Sequence, residues 1–161
     1  LKTKTINDTK AFLSDVMLPS QANPNGNVHG GEIMKMMDNC GSVAAMKHAK
    51  KTVVTVRVDE LVFYKPIFVG QLVICEANLV FVGKSSMEVK VTVKVEDVMK
   101  YTPTEIALTA FFTFVALDEK SKPCEVPSLE ILSEEEQALF DLGKKRYLAH
   151  KEKGKIDEKS N

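Results

Sequence analysis

Gly30-Gly31-Glu32-Ile33-Met34-Lys35-Met36-Met37-Asp38-Asn39-Cys40-Gly41-Ser42-Val43-Ala44-Ala45-Met46-Lys47 is the stretch on which the fold turns. Ile33, Met36, Met37, Cys40 and Ala44 recur at three- and four-residue steps, the period of an α-helix. The opposite side is not fully polar, because Met34, Gly41 and Ala45 lie there with Asp38. A helix that is apolar most of the way round belongs inside a structure. The spacing therefore predicts one long enclosed helix over about 30–47, and the rest of the chain must enclose it.

The segments after it read as strands. Residues 53–63 are long and β-branched, and Pro66 and Gly70 punctuate the turn that follows. Residues 71–82 put Val73, Cys75, Ala77, Leu79 and Phe81 on one face, and Gly83-Lys84-Ser85 makes a short hairpin connection. Residues 86–96 alternate, with Met87, Val89, Val91, Val93 and Val95 in and charged or hydroxyl side chains out. Residues 105–117 are apolar on both faces. Before the helix, residues 10–18 suit a first strand, and Ser20–Asn27 is rich in Asn, Pro and Gly, as in a functional loop. Ser133-Glu134-Glu135-Glu136 fits a capping box that opens a last helix running to about Lys151. The class is α+β. One helix covers one sheet face, so the strand at 105–117 calls for a second cover, which a dimer or larger assembly would supply.

Bulk composition narrows the function classes. The 161 residues suffice for one core, and hydrophobic and charged shares of 44% and 27% are those of a globular protein. The formal net charge is zero, so no global field favours nucleic acid or a membrane surface. Cys40, Cys75 and Cys124 form no CxxC pair and fit a reducing compartment. The opening residues hold no apolar stretch of the signal-peptide kind, and no run approaches the roughly 20 apolar residues of a membrane span. The expectation is a cytoplasmic protein. His29, His48 and His150 show no metal-ligand spacing, and no phosphate-binding glycine motif is present.

Three features could carry chemistry. Backbone N–H groups at the helix start, around Gly30 and Gly31, can hold an oxyanion, or the glycines serve loop geometry alone. Asp38 among small and apolar neighbours suits a general base, and a salt bridge to Lys35 competes with that reading. Between Lys144 and Lys155 six basic residues face one acid, Glu152, which suits a phosphorylated ligand or a solvated helix end. His29 is open as base, cap or packed neutral side chain. Cys40 lies on the apolar helix face and reads as core, and Ser42 lacks a nucleophile-elbow context.

The segment Asn23-x-x-Gly26-Asn27-Val28-His29-Gly30-Gly31-x-x-Met34-Lys35-x-x-Asp38, with Ala44-Ala45-x-Lys47-His48 after it, resembles the hotdog acyl-CoA thioesterases of the brain-type (cytosolic) family and its bacterial single-domain members. The likeness continues through Val54–Asp59, Lys84–Val89, Ala110–Val115 and Gly143–Tyr147, and ends near Lys151. The likeness marks one domain over 1–151, and the charged composition from Glu152 on reads as a frayed tail over 152–161. It implies the hotdog fold, a long central helix wrapped by an antiparallel sheet, with a C-terminal helix. It also implies hydrolysis of acyl-CoA to fatty acid and CoA, a dimer as minimum active unit, and a hexamer built as three dimers. Its catalytic pair maps onto Asn23 from one subunit and Asp38 from the other, with Asn25 and Asn27 beside Asn23 as competitors. Its CoA contacts map onto Val56, Arg57, Val58, Ser85, Ser86, Met87 and Arg146. No metal or resident cofactor is implied, since coenzyme A is part of the substrate. A hotdog enoyl-thioester hydratase using His29 as base, and a non-enzymatic acyl-CoA sensor, are the alternatives.

Overall fold

The computed structural model describes residues 2–160. In chain order the elements are β1 (Lys4–Thr5), α1 (Ile6–Thr9), β2 (Ala11–Val16), a 3-10 turn (Pro19–Gln21), α2 (Gly30–Ala49), β3 (Thr52–Phe63), β4 (Leu72–Val82), β5 (Ser86–Glu96), β6 (Glu105–Leu117), β7 (Leu129–Glu130) and α3 (Glu134–Ser160). The strands β2-β4-β5-β6-β3 form one antiparallel sheet, and α2 lies across one face of it. This is the hotdog arrangement.

Periodicity explains the core. Ile33, Met37, Cys40 and Ala44 of α2 are buried, as their spacing requires. They meet the inward residues of β5 (Met87, Val89, Val91, Val93 and Val95), all buried. Each large side chain so enclosed contributes about 1.5–3 kcal/mol. Gly41 also faces the sheet, not the far side of the helix: a Cβ there would stand 3.1 Å from the Phe114 ring and 3.3 Å from Val91. Met36 is only half-buried.

Two straps close the C-terminal end of α2. The Lys4 ammonium donates to the Lys47 and His48 carbonyls, both at 2.9 Å, and so satisfies the helix C-terminus. β1 pairs in parallel with β7, and the segment before β7 passes over His48, whose Nε2 lies 2.7 Å from the Pro127 carbonyl. The His48 Nδ1 is buried without a partner.

The outer sheet face is covered in part by α3. Phe81 meets Phe140 and Tyr147 there, and Gly143 seats the helix against it. Ser133 Oγ accepts from Glu136 N–H, while the Glu136 carboxylate reaches the Leu132 N–H, so half of the expected capping box forms. The helix continues past Glu152 to Ser160, where a frayed tail was expected; Asn161 lies outside the described residues. Beside α3 an open groove of about 540 Å³ leaves Val62, Lys90, Ile106 and Phe111 at the surface. Among the described residues no helix is long and apolar enough to cross a membrane.

Two expectations follow. A Gly143 Cβ would stand 2.6 Å from the Phe81 Cβ. Gly143→Ala should therefore destabilise the protein by about 1–3 kcal/mol in urea unfolding, in spite of alanine's better helix propensity. Burial lowers the His48 pKa below the ordinary imidazole value, and the bond to Pro127 only partly opposes this. The unfolded chain then binds the proton more readily, so stability is lost as pH falls from about 6.5 toward the folded value. Melting temperatures between pH 7.5 and 5.5 should drop, and His48→Gln should flatten that drop.

Candidate active site

The Asn-rich loop is pinned before it reaches α2. Asn23 N–H donates to Asn27 O at 2.8 Å and Gly26 N–H to Asn23 O at 3.0 Å, closing a tight turn in which Gly26 takes φ +90°, a conformation glycine adopts without strain. Val28 N–H then bonds Ile67 O, and His29 N–H bonds Gln21 O. Asn23 Oδ1 accepts from Asn25 N–H at 2.9 Å, so the Asn23 amide NH₂ is the group left to meet a ligand. Asn23, Asn27, Gly30 and Lys65 line a cavity of about 90 Å³ beside Phe63 and Leu108, whereas Asn25 is exposed away from it.

The start of α2 divides its two glycine amides. His29 is the N-cap, and its Nδ1 accepts the Gly31 N–H at 3.0 Å. The Glu32 N–H goes to the His29 carbonyl. The expectation that both Gly30 and Gly31 present donors to an oxyanion is thus corrected. Gly31 is engaged by the cap, and Gly30 is the glycine that borders the cavity.

Asp38 lies eight residues along α2, about 12 Å from Gly30 at 1.5 Å per residue. It is half-buried, and it does not line the Asn23 cavity. Its Oδ1 accepts a hydrogen bond of 2.5 Å from Thr55 Oγ1 on β3. No ion pair joins it to Lys35 among the described residues. Thr55 is the residue that sequence reading missed. The available signal was alternation: Thr55 shares a strand face with Val53, which packs on the core, so it points at α2. β3 is a sheet edge, broken by bulges between Thr55 and Arg57 and between Asp59 and Val62, with Glu60 at φ +51°. Val54, Val56, Val58, Val62 and Phe63 are all exposed along it.

The residues expected to hold CoA are not gathered within one chain. Val56, Arg57 and Val58 are exposed on the β3 edge. Ser85 and Ser86 are half-buried at the β4–β5 hairpin, where Ser85 O accepts from Ala116 N–H and Ser86 O from Gly83 N–H. Met87 is fully buried opposite Phe114 and belongs to the core. Arg146 is committed inside the chain. It grips Glu88 with two nitrogens at 2.6–3.1 Å, stacks 3.9 Å over Phe111, and has Glu60 3.7 Å away. Burial pushes the Glu88 carboxyl above the usual carboxylate range, and the Arg146 guanidinium pulls against that. His150 Nε2 lies 3.2 Å from Asp59, so a second side chain ties α3 to β3.

Burial pushes the Cys40 thiol up to about 11 and Cys75 to about 12, which keeps both protonated and unreactive at neutral pH. Among the described residues no group of three or more His, Cys, Asp or Glu is placed to hold a metal ion.

Comparison with known proteins agrees with this geometry. The family model described as the thioesterase superfamily matches residues 25–102. The rat cytosolic acyl coenzyme A thioester hydrolase is 35% identical over 150 residues, 92% of this chain, and the chain spans 39% of that relative's length. A Bacillus subtilis protein named as an uncharacterized acyl-CoA thioester hydrolase is 34% identical over 145 residues, covering 90% of this chain and 84% of that protein. An acyl-CoA hydrolase from Staphylococcus aureus, solved with butyryl coenzyme A, coenzyme A and coenzyme A disulfide, superposes with a TM-score of 0.88 at 30% identity over 99% of this chain and 96% of its own. Structures of that hydrolase include alanine variants of an asparagine, of an aspartate 15 residues later and of a threonine 17 residues after that. Asn23, Asp38 and Thr55 have the same spacing. A hexameric thioesterase from Yersinia pestis reaches a TM-score of 0.67 at 39% identity, over 72% of this chain and 93% of that one.

Arg146→Ala should leave the Glu88 carboxylate buried without its partner and cost about 3–5 kcal/mol in denaturant unfolding. The same substitution in a Glu88→Gln background should cost clearly less, since no buried charge is stranded.

Proposed function

The chain belongs to the thioesterase superfamily and, within it, to the acyl-CoA thioester hydrolases, and from that premise we propose that it hydrolyses acyl-CoA to a free fatty acid and coenzyme A. The observation that carries the reading is the Asp38–Thr55 hydrogen bond of 2.5 Å at an open sheet edge, one helix away from the Asn23 loop. Thr55 holds one carboxylate oxygen and thereby aims the other. That oxygen takes a proton from water as the water attacks the thioester carbonyl carbon. The oxyanion that forms is met by two groups of the partner subunit, its Gly30 N–H and its Asn23 amide. Collapse breaks the C–S bond, and the proton on Asp38 passes to the departing CoA sulfur. The proposed reaction uses no metal.

A second copy completes this site. Unpaired strand edges with exposed Val and Phe side chains recruit another strand, and β3 has both features. Antiparallel pairing of β3 with its copy lays the two α2 helices head to tail. Each Asp38 then comes toward the loop of the partner, and a dimer holds two sites. The hexameric relatives support three such dimers, with the uncovered outer face around Ile106 and Phe111 turned toward neighbours. The three unpaired cysteines and the cytosolic relatives support work in the cytoplasm. The exposure of Val56, Arg57 and Val58 on the β3 edge, and of the α3 lysines, supports them as the groups that meet the CoA nucleotide.

The hydratase reading needs His29 as a base. With Nδ1 accepting from Gly31, the neutral ring carries its proton on Nε2, which leaves no free lone pair to take a proton. A thiol-release assay across acyl chain lengths tests the proposal. Wild type should release CoA, and Asp38→Ala should lose about 10²–10⁴-fold in kcat with CoA binding retained. Retention of turnover by Asp38→Ala refutes the assignment. Inactive Asn23→Ala and Asp38→Ala proteins, unfolded and refolded together, should recover about a quarter of wild-type activity, because each mixed dimer carries one intact site.

A further inference from the structure

Histidine is an unusual helix N-cap, since Ser, Thr, Asp and Asn are the residues preferred there. In this chain the contact is specific. His29 Nδ1 accepts the Gly31 N–H at 3.0 Å, and the Gly31 Cα is where the ring rests: a Cβ there would stand 3.1 Å from Nδ1. The His29 backbone is held at the same time, by Gln21 O on its N–H and by Glu32 N–H on its carbonyl. Of the amides in the first turn, the cap removes Gly31 and the His29 carbonyl removes Glu32. Gly30, beside the Asn23 cavity, remains.

We infer that His29 is a positioning residue for the thioester carbonyl: its neutral imidazole locks the Gly31 amide and fixes the first turn of α2, so that the Gly30 amide alone is directed at the developing oxyanion, and proton uptake by the ring releases that lock. This rests on the thioesterase reading. The physical reason is that an imidazolium has two donors and no acceptor. Nδ1–H then opposes Gly31 N–H, and a positive charge stands at the positive end of the helix dipole. The charged neighbours do not hold the ring in place of the cap. Asp15 of β2 and Glu32 and Lys35 of α2 line a hollow with Gln21 on one side, and Lys65 lines the Asn23 cavity on the other. The Pro19–Gln21 turn contributes no charge. His29 is exposed, so the proton has free access.

The test compares wild type, His29→Ala and His29→Asn, the last keeping a cap acceptor that does not titrate. Wild-type kcat on acyl-CoA should fall at acid pH as the cap is lost, with KM changed less than about twofold. His29→Ala should lower kcat about tenfold at all pH values, in line with loss of a cap. His29→Asn should recover most of that loss and shift the acid limb to lower pH. In the ligand-free protein, the Gly31 amide resonance should shift with pH in wild type and stay constant in His29→Asn. Persistence of the limb in His29→Asn, or wild-type kcat in His29→Ala, overturns the inference. So does a His29→Asn protein as impaired as His29→Ala, which would put the imidazole itself in contact with substrate. If wild type releases no thiol, the thioesterase reading fails by itself, and a Gly31 resonance that does not follow pH still refutes the cap.

Discussion

The contact of Gly41 with Phe114 and Val91 sets the rest of the structure. A side chain at that position would hold α2 off β5 and β6. Without one, the helix lies directly on the sheet, and Asp38, one turn earlier, comes level with β3. Thr55 can then reach the carboxylate at 2.5 Å. Hydrogen bonds lose strength steeply with distance and angle, so the depth at which the helix rests governs whether that pair exists. Packing in the core and geometry at the site are one constraint here.

The same sheet is unfinished at its edge and on its outer face. β3 offers unpaired backbone and exposed Val and Phe side chains on one edge, while α3 covers only part of the outer surface. α3 is itself held by charge. The Arg146–Glu88 pair and the His150–Asp59 contact bind it to β5 and to the second bulge of β3. The bulge bends the edge strand and turns Asp59 and Glu60 toward α3. The edge that offers itself to a second copy is therefore shaped from behind by the C-terminal helix.

Much of this was legible in the sequence because burial leaves a period. The inward valines of β5 and the stripe Ile33, Met37, Cys40, Ala44 stand where alternation and helical spacing put them. Gly41 was misplaced because a glycine has no side chain to pattern; Met87 stands inward where alternation put it, and only the family resemblance drew it toward CoA. Alternation turns Thr55 inward with Val53 but does not name its partner, which is 17 residues away and within reach only once β3 folds beside α2. The Gly31 amide was read as free because a histidine gives no sequence sign that its Nδ1 will turn back to cap the helix. Arg146 was assigned to CoA through the family resemblance, but a guanidinium satisfied by a buried carboxylate 58 residues distant is a tertiary fact. β1 and β7 have two residues each, too short for any period to form.

The separation of Asp38 from the helix start has a physical reason within the proposed reaction. The first turn of α2 is the positive end of the helix dipole, and its free amide must remain open for an oxyanion. A carboxylate placed there would bind that amide itself. It would also be held as the weak base that a helix N-terminus makes of any acid. Two turns further on, Asp38 is clear of both effects, but it is then about 12 Å from the Gly30 amide it must work with. A water and a thioester carbonyl span only a few ångströms, so one helix cannot supply both groups to one reacting carbon. A second helix running the other way can, because it brings its own Asp38 beside the first helix's start. Division of the site between two subunits thus follows from placing an acid and an oxyanion donor on the same helix.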